Sequence, residues 1–532
     1  MSSIGRASVL IGAGTIVSRV SGLLRTVVLV AAIGSIGAAG DAFAVANQLP
    51  NNIYAIISTG LLTAVVVPQI VKAAAHADGG QAFISKLFTL GTVGLLGTTA
   101  LAMLAAPLLV QVYASKFTDD QLALSTAFAY WCLPQIFFYG LYALLGEILN
   151  ARRVFGPYTW APIVNNIVSI AGFGAFILLF GGAQERVADW TPGMIAVLAA
   201  TATAGIVVQT VVLMFFWRRA GLTLRPDFQW RGVGLRHIGR LAGWTFLMVV
   251  AGQLAGIVQS NVLSGASGED PAIFASQNAW LLFMLPYSII VLSIGTPYFT
   301  QLSEHAAAQR HDDVRADIGR SIRTLGFFIV AATAALAAAA VPASRIFTNG
   351  PDEALAAAPV LWCFLVCLIP LAVLFVVQRT FYAYNDTRTP FFFTLLQCAL
   401  VAGGAVLAGA VLERSELAAG VALTQSFASI VQVVVATVLL HRRLSGIGTT
   451  SWVAALVRFA LAAVPAGAAG WGVSLLLGGT QGWTTSSALA GAAGAAIIGT
   501  VVLAVYVGIL ALFRTPELAP AIALARRFLP KR

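Results

Sequence analysis

The sequence predicts an all-α polytopic membrane protein. Three observations carry this. Of its 532 residues, 59% are hydrophobic and only 10% charged; apolar runs of 20 or more residues recur from end to end; and the cationic residues gather in short loops between alternate runs. A soluble chain needs far more polar residues to cover its surface. Each run is long enough to cross a hydrocarbon core of roughly 30 Å as a helix. The runs show no strict alternation of apolar and polar residues, which argues against a β-barrel.

About fourteen spans are expected, at residues 8–34, 42–73, 88–113, 122–149, 156–181, 193–217, 237–265, 271–303, 322–348, 356–383, 389–412, 417–441, 453–477 and 484–513. The second and eighth are too long for a straight crossing. They contain Pro50 and Pro286, so bent or broken helices are expected there. The first run carries Arg19 and Arg25 in its middle, unlike the apolar core of a cleavable signal peptide, and none is expected.

The net charge of +11 does not point to nucleic acid, because of where the charge lies. Arg152 and Arg153 follow the fourth span, Arg218 to Arg240 the sixth, Arg310 to Arg323 the eighth, and Arg442 and Arg443 the twelfth. The alternate loops hold little beyond Lys116, Arg186, Arg345 and Arg414. The positive-inside rule then places both termini in the cytoplasm, which requires an even number of spans.

Internal repetition divides the chain. Asn150 and Asn385 lie 235 residues apart, Pro157 and Pro390 233, and Leu49-Pro50 and Leu285-Pro286 236. These near-equal offsets predict two homologous six-helix lobes with two extra C-terminal helices. The expected division is an N-terminal lobe at 1–219, a cytoplasmic inter-lobe loop at 220–236, a C-terminal lobe at 237–443, and two further spans with a basic tail at 444–532. An even number of spans per half makes the repeats parallel, related by an axis along the membrane normal, and such repeats enclose a path between them.

Arg19 and Arg25 are the informative charges. A guanidinium at the middle of a span costs about 2.5–3.5 kcal/mol even on insertion scales. No acid shares their span, and the small residues Ser18, Ser21 and Gly22 surround them. Two fixed guanidinium groups facing a cavity would hold an anion, and Arg pairs well with phosphate; a structural ion pair with Asp41 or Glu147 is the alternative. Asp41 reads either as a helix N-cap or as functional. Asn51 either satisfies backbone groups freed by Pro50 or contributes to a site. Glu147 reads as interfacial or functional. The repeat offset carries Arg25 to Ser260 and Arg19 to Leu254, so an anion site would belong mainly to the first half.

Cys132, Cys363, Cys367 and Cys398 all lie in apolar segments and read as buried free thiols, with no metal site expected. None of the four lysines lies in a G-x-x-x-x-G-K-[ST] loop, and no nucleophile–base spacing appears, so an enzyme is not expected.

Several stretches resemble the MurJ (MviN) family of lipid-linked precursor flippases. Ser18-Arg19-Val20-Ser21-Gly22-Leu23-Leu24-Arg25 is similar to the first-helix signature S-R-x-x-G-x-x-R. Asp41-Ala42-Phe43-Ala44-Val45-Ala46 and Leu49-Pro50-Asn51 resemble its D-A-F-x-V-A and L-P-N elements, and Gly60 and Pro68 continue that pattern. Phe155-Gly156-Pro157 with Ala161-Pro162 and Asn165 fits the fifth helix. Tyr382-Ala383 and Asp386-Thr387-Arg388-Thr389-Pro390 fit the junction before the eleventh.

The resemblance implies the multidrug/oligosaccharidyl-lipid/polysaccharide exporter superfamily. It implies movement of lipid II, an undecaprenyl-pyrophosphoryl disaccharide-pentapeptide, from the inner to the outer leaflet of a bacterial plasma membrane by alternating access. It marks Arg19, Arg25, Asp41 and Asn51 as substrate-binding. Two family arginines are replaced: one by Tyr54, the other within Trp280–Leu285, which carries no charge. The partners implied are lipid II and membrane lipids, with cell-wall synthesis machinery a further candidate and no nucleic acid. No cofactor is expected; coupling to the membrane potential or to a monovalent ion is left open. A drug/cation antiporter of the same fold and a non-transporting scaffold of a cell-wall complex are the alternative functions.

Overall fold

The computed structural model describes residues 3–58, 81–151, 154, 156–217, 226–228 and 235–518. Gly60, Pro68, Arg152, Arg153, Phe155, Arg218 and the basic C-terminal tail lie outside the described residues. The described residues form helices and connecting turns, with no strand among them.

The chain divides into two compact units, Met1–Glu269 and Asp270–Arg532. The first contains α1 (Ser3–Ile33), α2 (Ala38–Ile57), α3 (Gln81–Leu104), α4 (Ala106–Tyr113), α5 (Asp119–Cys132), α6 (Gln135–Ala151), α7 (Gly156–Phe180), α8 (Pro192–Trp217) and α9 (Leu235–Leu263). The second begins with α10 (Ile273–Pro286), a π-helical stretch at Tyr287–Leu292 and α11 (Ser293–Ala307). It continues through α12 (His311–Ala338), α13 (Ala340–Arg345), α14 (Pro351–Leu365), α15 (Leu368–Ala383), α16 (Arg388–Val411) and α17 (Arg414–Arg443). It ends with α18 (Thr449–Leu476) and α19 (Ala488–Leu512).

Twelve helical segments among the described residues are long and apolar enough to cross a membrane, from Ile84–Leu104 to Ala488–Leu512. They correspond to the third to fourteenth expected spans. Helices α1 and α2 stand at the places of the first two, and the continuation of α2 lies outside the described residues. The structure therefore establishes twelve candidate spans, and the total of fourteen stays an expectation.

Five of the expected spans are interrupted, each with a proline at or beside the break. Pro134 lacks the amide that would continue α5, so the fourth span splits into α5 and α6. Pro370 has the same effect on the carbonyl four residues back, at Val366, and the tenth span splits into α14 and α15. Directly after Pro286 the α-helix gives way to the six-residue π-helix. The fourth and fifth breaks, at Ala339 between α12 and α13 and at Ala105 between α3 and α4, come just before Pro342 and Pro107.

The breaks recur in register. Cys132 and Leu365, which end α5 and α14, are 233 residues apart, as are Gln135 and Leu368, which begin α6 and α15. Helix α9 would open a second lobe on this count. By contacts it belongs to the first unit: Asn261 Nδ2 donates to the Val112 carbonyl at 3.1 Å and to Ser115 Oγ at 2.9 Å.

Each unit has its own core. In the first, Leu141, Leu144, Leu145 and Ile148 of α6 pack with Leu87 of α3 and Trp217 of α8. In the second, Phe327 and Val330 of α12 pack with Phe459 of α18 and Val502 and Tyr506 of α19. The Tyr506 hydroxyl donates to the Phe327 carbonyl at 3.0 Å, so a buried phenol finds its acceptor on the neighbouring helix. Gly470 lets α18 close on its neighbours; a Cβ there would stand 3.0 Å from that of Ala338 and 3.3 Å from a methyl of Ile498.

Arg345 fixes the last two helices to this unit. It is buried at the end of α13. Its Nε donates to the Thr485 carbonyl at 2.7 Å, one terminal nitrogen to the Ser486 carbonyl at 3.3 Å, and the other to Thr348. The sequence places it among loop charges; the structure makes it a tie between α13 and the α18–α19 connection.

Candidate functional site

In the first unit, α1 is held by its small-residue face. Asn166 of α7 donates to the Ser18 carbonyl at 3.2 Å and to Ser21 Oγ at 2.8 Å. Gly22 faces the same amide at 3.6 Å from its would-be Cβ. Arg25 lies seven residues beyond Ser18, about two turns along the same helix face. It is half-buried, within electrostatic reach of Tyr139 on α6.

Arg19 is exposed. Six residues advance a helix by roughly 600°, so the two arginines point about 120° apart. Among the described residues neither arginine forms an ion pair, and in particular neither pairs with Asp41 or Glu147.

Arg25 sits at one end of a row of tyrosines. Tyr139 stacks on Tyr54 of α2 with ring centroids 5.7 Å apart. Tyr142 stacks on Tyr158 of α7 at 5.0 Å and donates its hydroxyl to the Tyr158 carbonyl at 2.7 Å. Tyr54 and Tyr158 both lie within electrostatic reach of the half-buried Glu147. An arginine beside phenols offers a bidentate fork and further hydroxyl donors, a setting that suits phosphate oxygens. The sequence singles out Arg25, Glu147 and, as a replaced family arginine, Tyr54, but not Tyr139, Tyr142 or Tyr158. The spacing of three residues between Tyr139 and Tyr142 on α6 is the signal that could have found those two.

Asp41 and Asn51 do not join this row among the described contacts. Asp41 is buried in the first turn of α2, whose N-cap is Gly37. Its carboxylate accepts from Ser267 Oγ at 2.6 Å; Gln121 Nε2 donates to that Ser267 oxygen at 2.7 Å and to the Ala38 carbonyl at 2.8 Å. Asp41 thus ties the start of α2 to α5 and to the segment after α9. Asn51 is exposed, and it is the adjacent Asn52 that bonds, to the Tyr113 hydroxyl of α4 at 3.2 Å. Pro50 is buried within α2.

The second unit holds a charge that sequence reasoning passed over. Arg379, four residues before the end of α15, lies 5.1 Å from the ring centroid of Phe299 and 5.3 Å from that of Phe375. Tyr287, next to Pro286, is within its electrostatic reach. Beyond the end of α15, Asp386 accepts from the Thr389 amide at 3.0 Å and the Thr389 hydroxyl at 2.8 Å, and pairs with Arg443. Burial pushes the Asp386 carboxyl up, but these donors outweigh it and hold it below the usual carboxylate range.

The model of the lipid II flippase MurJ family matches residues 29–493. A probable lipid II flippase MurJ of Rhizobium tropici is 26% identical over 453 residues, covering 83% of this chain and 81% of the relative. One of Synechocystis is 23% identical over 484 residues, covering 89% and 88%. Among solved structures, a lipid II flippase MurJ in an inward closed conformation superposes with a TM-score of 0.70 at 19% identity, covering 93% of this chain and 98% of the other. An inward-facing multidrug resistance transporter of the MATE family and MOP superfamily superposes at 0.64 with 15% identity, covering 82% and 96%. Together, the family match over most of the chain and the shared fold place it: the chain belongs to the lipid II flippase MurJ family.

Proposed function

We propose that this protein moves lipid II from the inner to the outer leaflet of a bacterial plasma membrane, and that Arg25 binds the cargo's pyrophosphate. The observation that carries the reading is the setting of Arg25: a half-buried guanidinium inside α1, the helix at the place of the first expected span, beside Tyr139 and without an acid partner among the described residues. A structural arginine at that depth would be paired, because an uncompensated charge there is costly. An anionic cargo supplies the missing partner.

Arg19, exposed on another face of α1, acts as an entry contact for the same anion. Asp41 acts through Ser267, by holding the start of α2, and Asn51 presents an exposed amide beyond Pro50. Transport by alternating access uses two repeated six-helix lobes, with both termini in the cytoplasm. No covalent step on the cargo is required.

The test is transport by the purified full chain in proteoliposomes carrying fluorescent lipid II, together with growth of a strain depleted of its own flippase. Transfer of lipid II to the outer leaflet and restored growth are expected. No transfer by well-folded protein would overturn the reading.

A further inference from the structure

Glu147 has no use in anion transport as proposed so far, yet it sits in the same row as Arg25. It lies in the apolar segment Asp119–Leu149, four residues before the end of α6, and is half-buried. Among the described residues it forms no ion pair. A carboxylate kept inside an apolar segment without a partner marks a functional position by default.

Its surroundings say which ligand it fits. The ring of Tyr158 packs against Gly146, the residue before Glu147, and Tyr54 and Tyr158 both lie within electrostatic reach of the carboxylate. Tyr158 is fixed by stacking on Tyr142 at 5.0 Å and by the bond from the Tyr142 hydroxyl to its carbonyl. Tyr54 is fixed by stacking on Tyr139 at 5.7 Å. A carboxylate bordered by oriented phenol rings attracts a cation by charge and by the ring quadrupoles together. A second phosphate would be repelled there.

We infer that Glu147, with Tyr54 and Tyr158, forms a subsite for a primary ammonium group carried by the cargo. The inference rests on the proposed function, because it takes the cargo's phosphate to lie at Arg25. The row Arg25, Tyr139, Tyr54, Glu147 then has a fixed cation at one end and a fixed anion at the other. It recognises a molecule that bears both a pyrophosphate and an amine, as a lipid-linked peptide with a diamino acid does. Tyr54 matters by what it is not: an arginine at that position would set a fixed cation within electrostatic reach of Glu147 and compete with the cargo's amine.

The test compares two probes on the full-length protein: lipid II with the free side-chain amine of its peptide, and the same lipid II with that amine acetylated. Affinity is measured in detergent and transfer in proteoliposomes. The wild type should bind the free amine about tenfold more tightly than the acetylated form, the scale of a desolvated cation–aromatic contact. Glu147→Gln should weaken binding of the free-amine cargo to the level of the acetylated one and leave the acetylated cargo unchanged. Tyr54→Arg should likewise abolish the preference.

Equal wild-type affinity for the two probes would overturn the inference, whatever the variants do. So would an equal loss for both probes in Glu147→Gln. If the wild type moves both cargoes at one rate and binds both alike, the subsite fails while the flippase reading stands. If it discriminates in binding but moves neither, the flippase reading fails while the subsite stands.

Discussion

Thr203 of α8 donates its hydroxyl to the carbonyl of Trp131 at 2.7 Å, just before the break between α5 and α6. Ser426 of α17 donates to the carbonyl of Cys363 at 2.6 Å, just before the break between α14 and α15. Trp131 and Cys363 are 232 residues apart, and Thr203 and Ser426 223. In each unit, a hydroxyl from a later helix, α8 or α17, satisfies a carbonyl freed by a proline-linked break. Gln135 adds to the first of these, donating to Thr203 Oγ1 at 3.0 Å.

These bonds matter because the hydrocarbon core offers no water to replace them. Thr203→Val and Ser426→Ala should each lower stability by about 0.6–2 kcal/mol, the range of interhelical hydrogen bonds in membranes. Thermal unfolding of the purified variants in detergent measures this. Ser426→Ala should show the larger drop, because Ser426 is fully buried and its freed carbonyl stays dry. Unchanged unfolding temperatures in both would show that the broken helices do not depend on these caps.

Arg345 predicts a different failure. Arg345→Ala removes donors to three backbone carbonyls, those of Thr348, Thr485 and Ser486. Leaving buried carbonyls unsatisfied should cost about 3 kcal/mol. Protease nicking between Leu477 and Ser487 should rise in parallel, since that connection loses its anchor. A variant that resists both heat and protease like the wild type would assign Arg345 to topology alone.

The helices were legible in the sequence because span length and apolar composition are local properties. The two-unit division was less so: α9 joins the first unit through Asn261 and Ser267, whose partners are Val112, Ser115 and Asp41, more than a hundred residues away. Pro134 and Pro370 stood in plain view as breakers, but the lengths of the fourth and tenth spans gave no sign of a break. Arg345 looked like a loop charge because its acceptors are backbone carbonyls, which leave no trace in a sequence. Arg379 was missed because a single arginine near the end of an apolar run reads as an interfacial residue. Arg25 was legible because it stands in the middle of the first expected span with no acid beside it. The tyrosines of the row that begins beside it come from three helices, and only the fold brings them together.

Asp386 gives a pH prediction. Its native carboxyl is more acidic than an ordinary one, so its network with Thr389 and Arg443 stabilises the folded chain at neutral pH. That contribution is lost as pH falls through the lowered native value. The difference in unfolding temperature between wild type and Asp386→Asn should be full at pH 7 and shrink below about pH 4, the ordinary aspartate range. A difference that stays constant down to pH 3 would mean that the charge of Asp386 is not what the network uses. Asn385, held at a left-handed φ of 56°, is the adjoining conformational constraint, and Asn385→Val should be destabilising at every pH.

The last prediction separates Arg25 from Arg19. Arg25 is half-buried beside Tyr139, and Arg19 is exposed about 120° around the helix. If Arg25 is the pyrophosphate contact, Arg25→Ala should lower lipid II transfer by at least about tenfold, the loss of roughly 1.4 kcal/mol or more of charge-assisted bonding. Arg25→Lys should recover only part of it, because an ammonium cannot form the two-pronged bond. Arg19→Ala should cost less, since an exposed charge is partly screened. Neither alanine variant should lower the unfolding temperature: no acid is paired with either arginine among the described residues, so none is left stranded, and removing a charge from the apolar segment relieves its cost. The measurement is transfer rate beside unfolding temperature for all three variants. A fall in stability that tracks the fall in transfer would make Arg25 a structural residue, and full transfer by Arg25→Ala would remove it from the site.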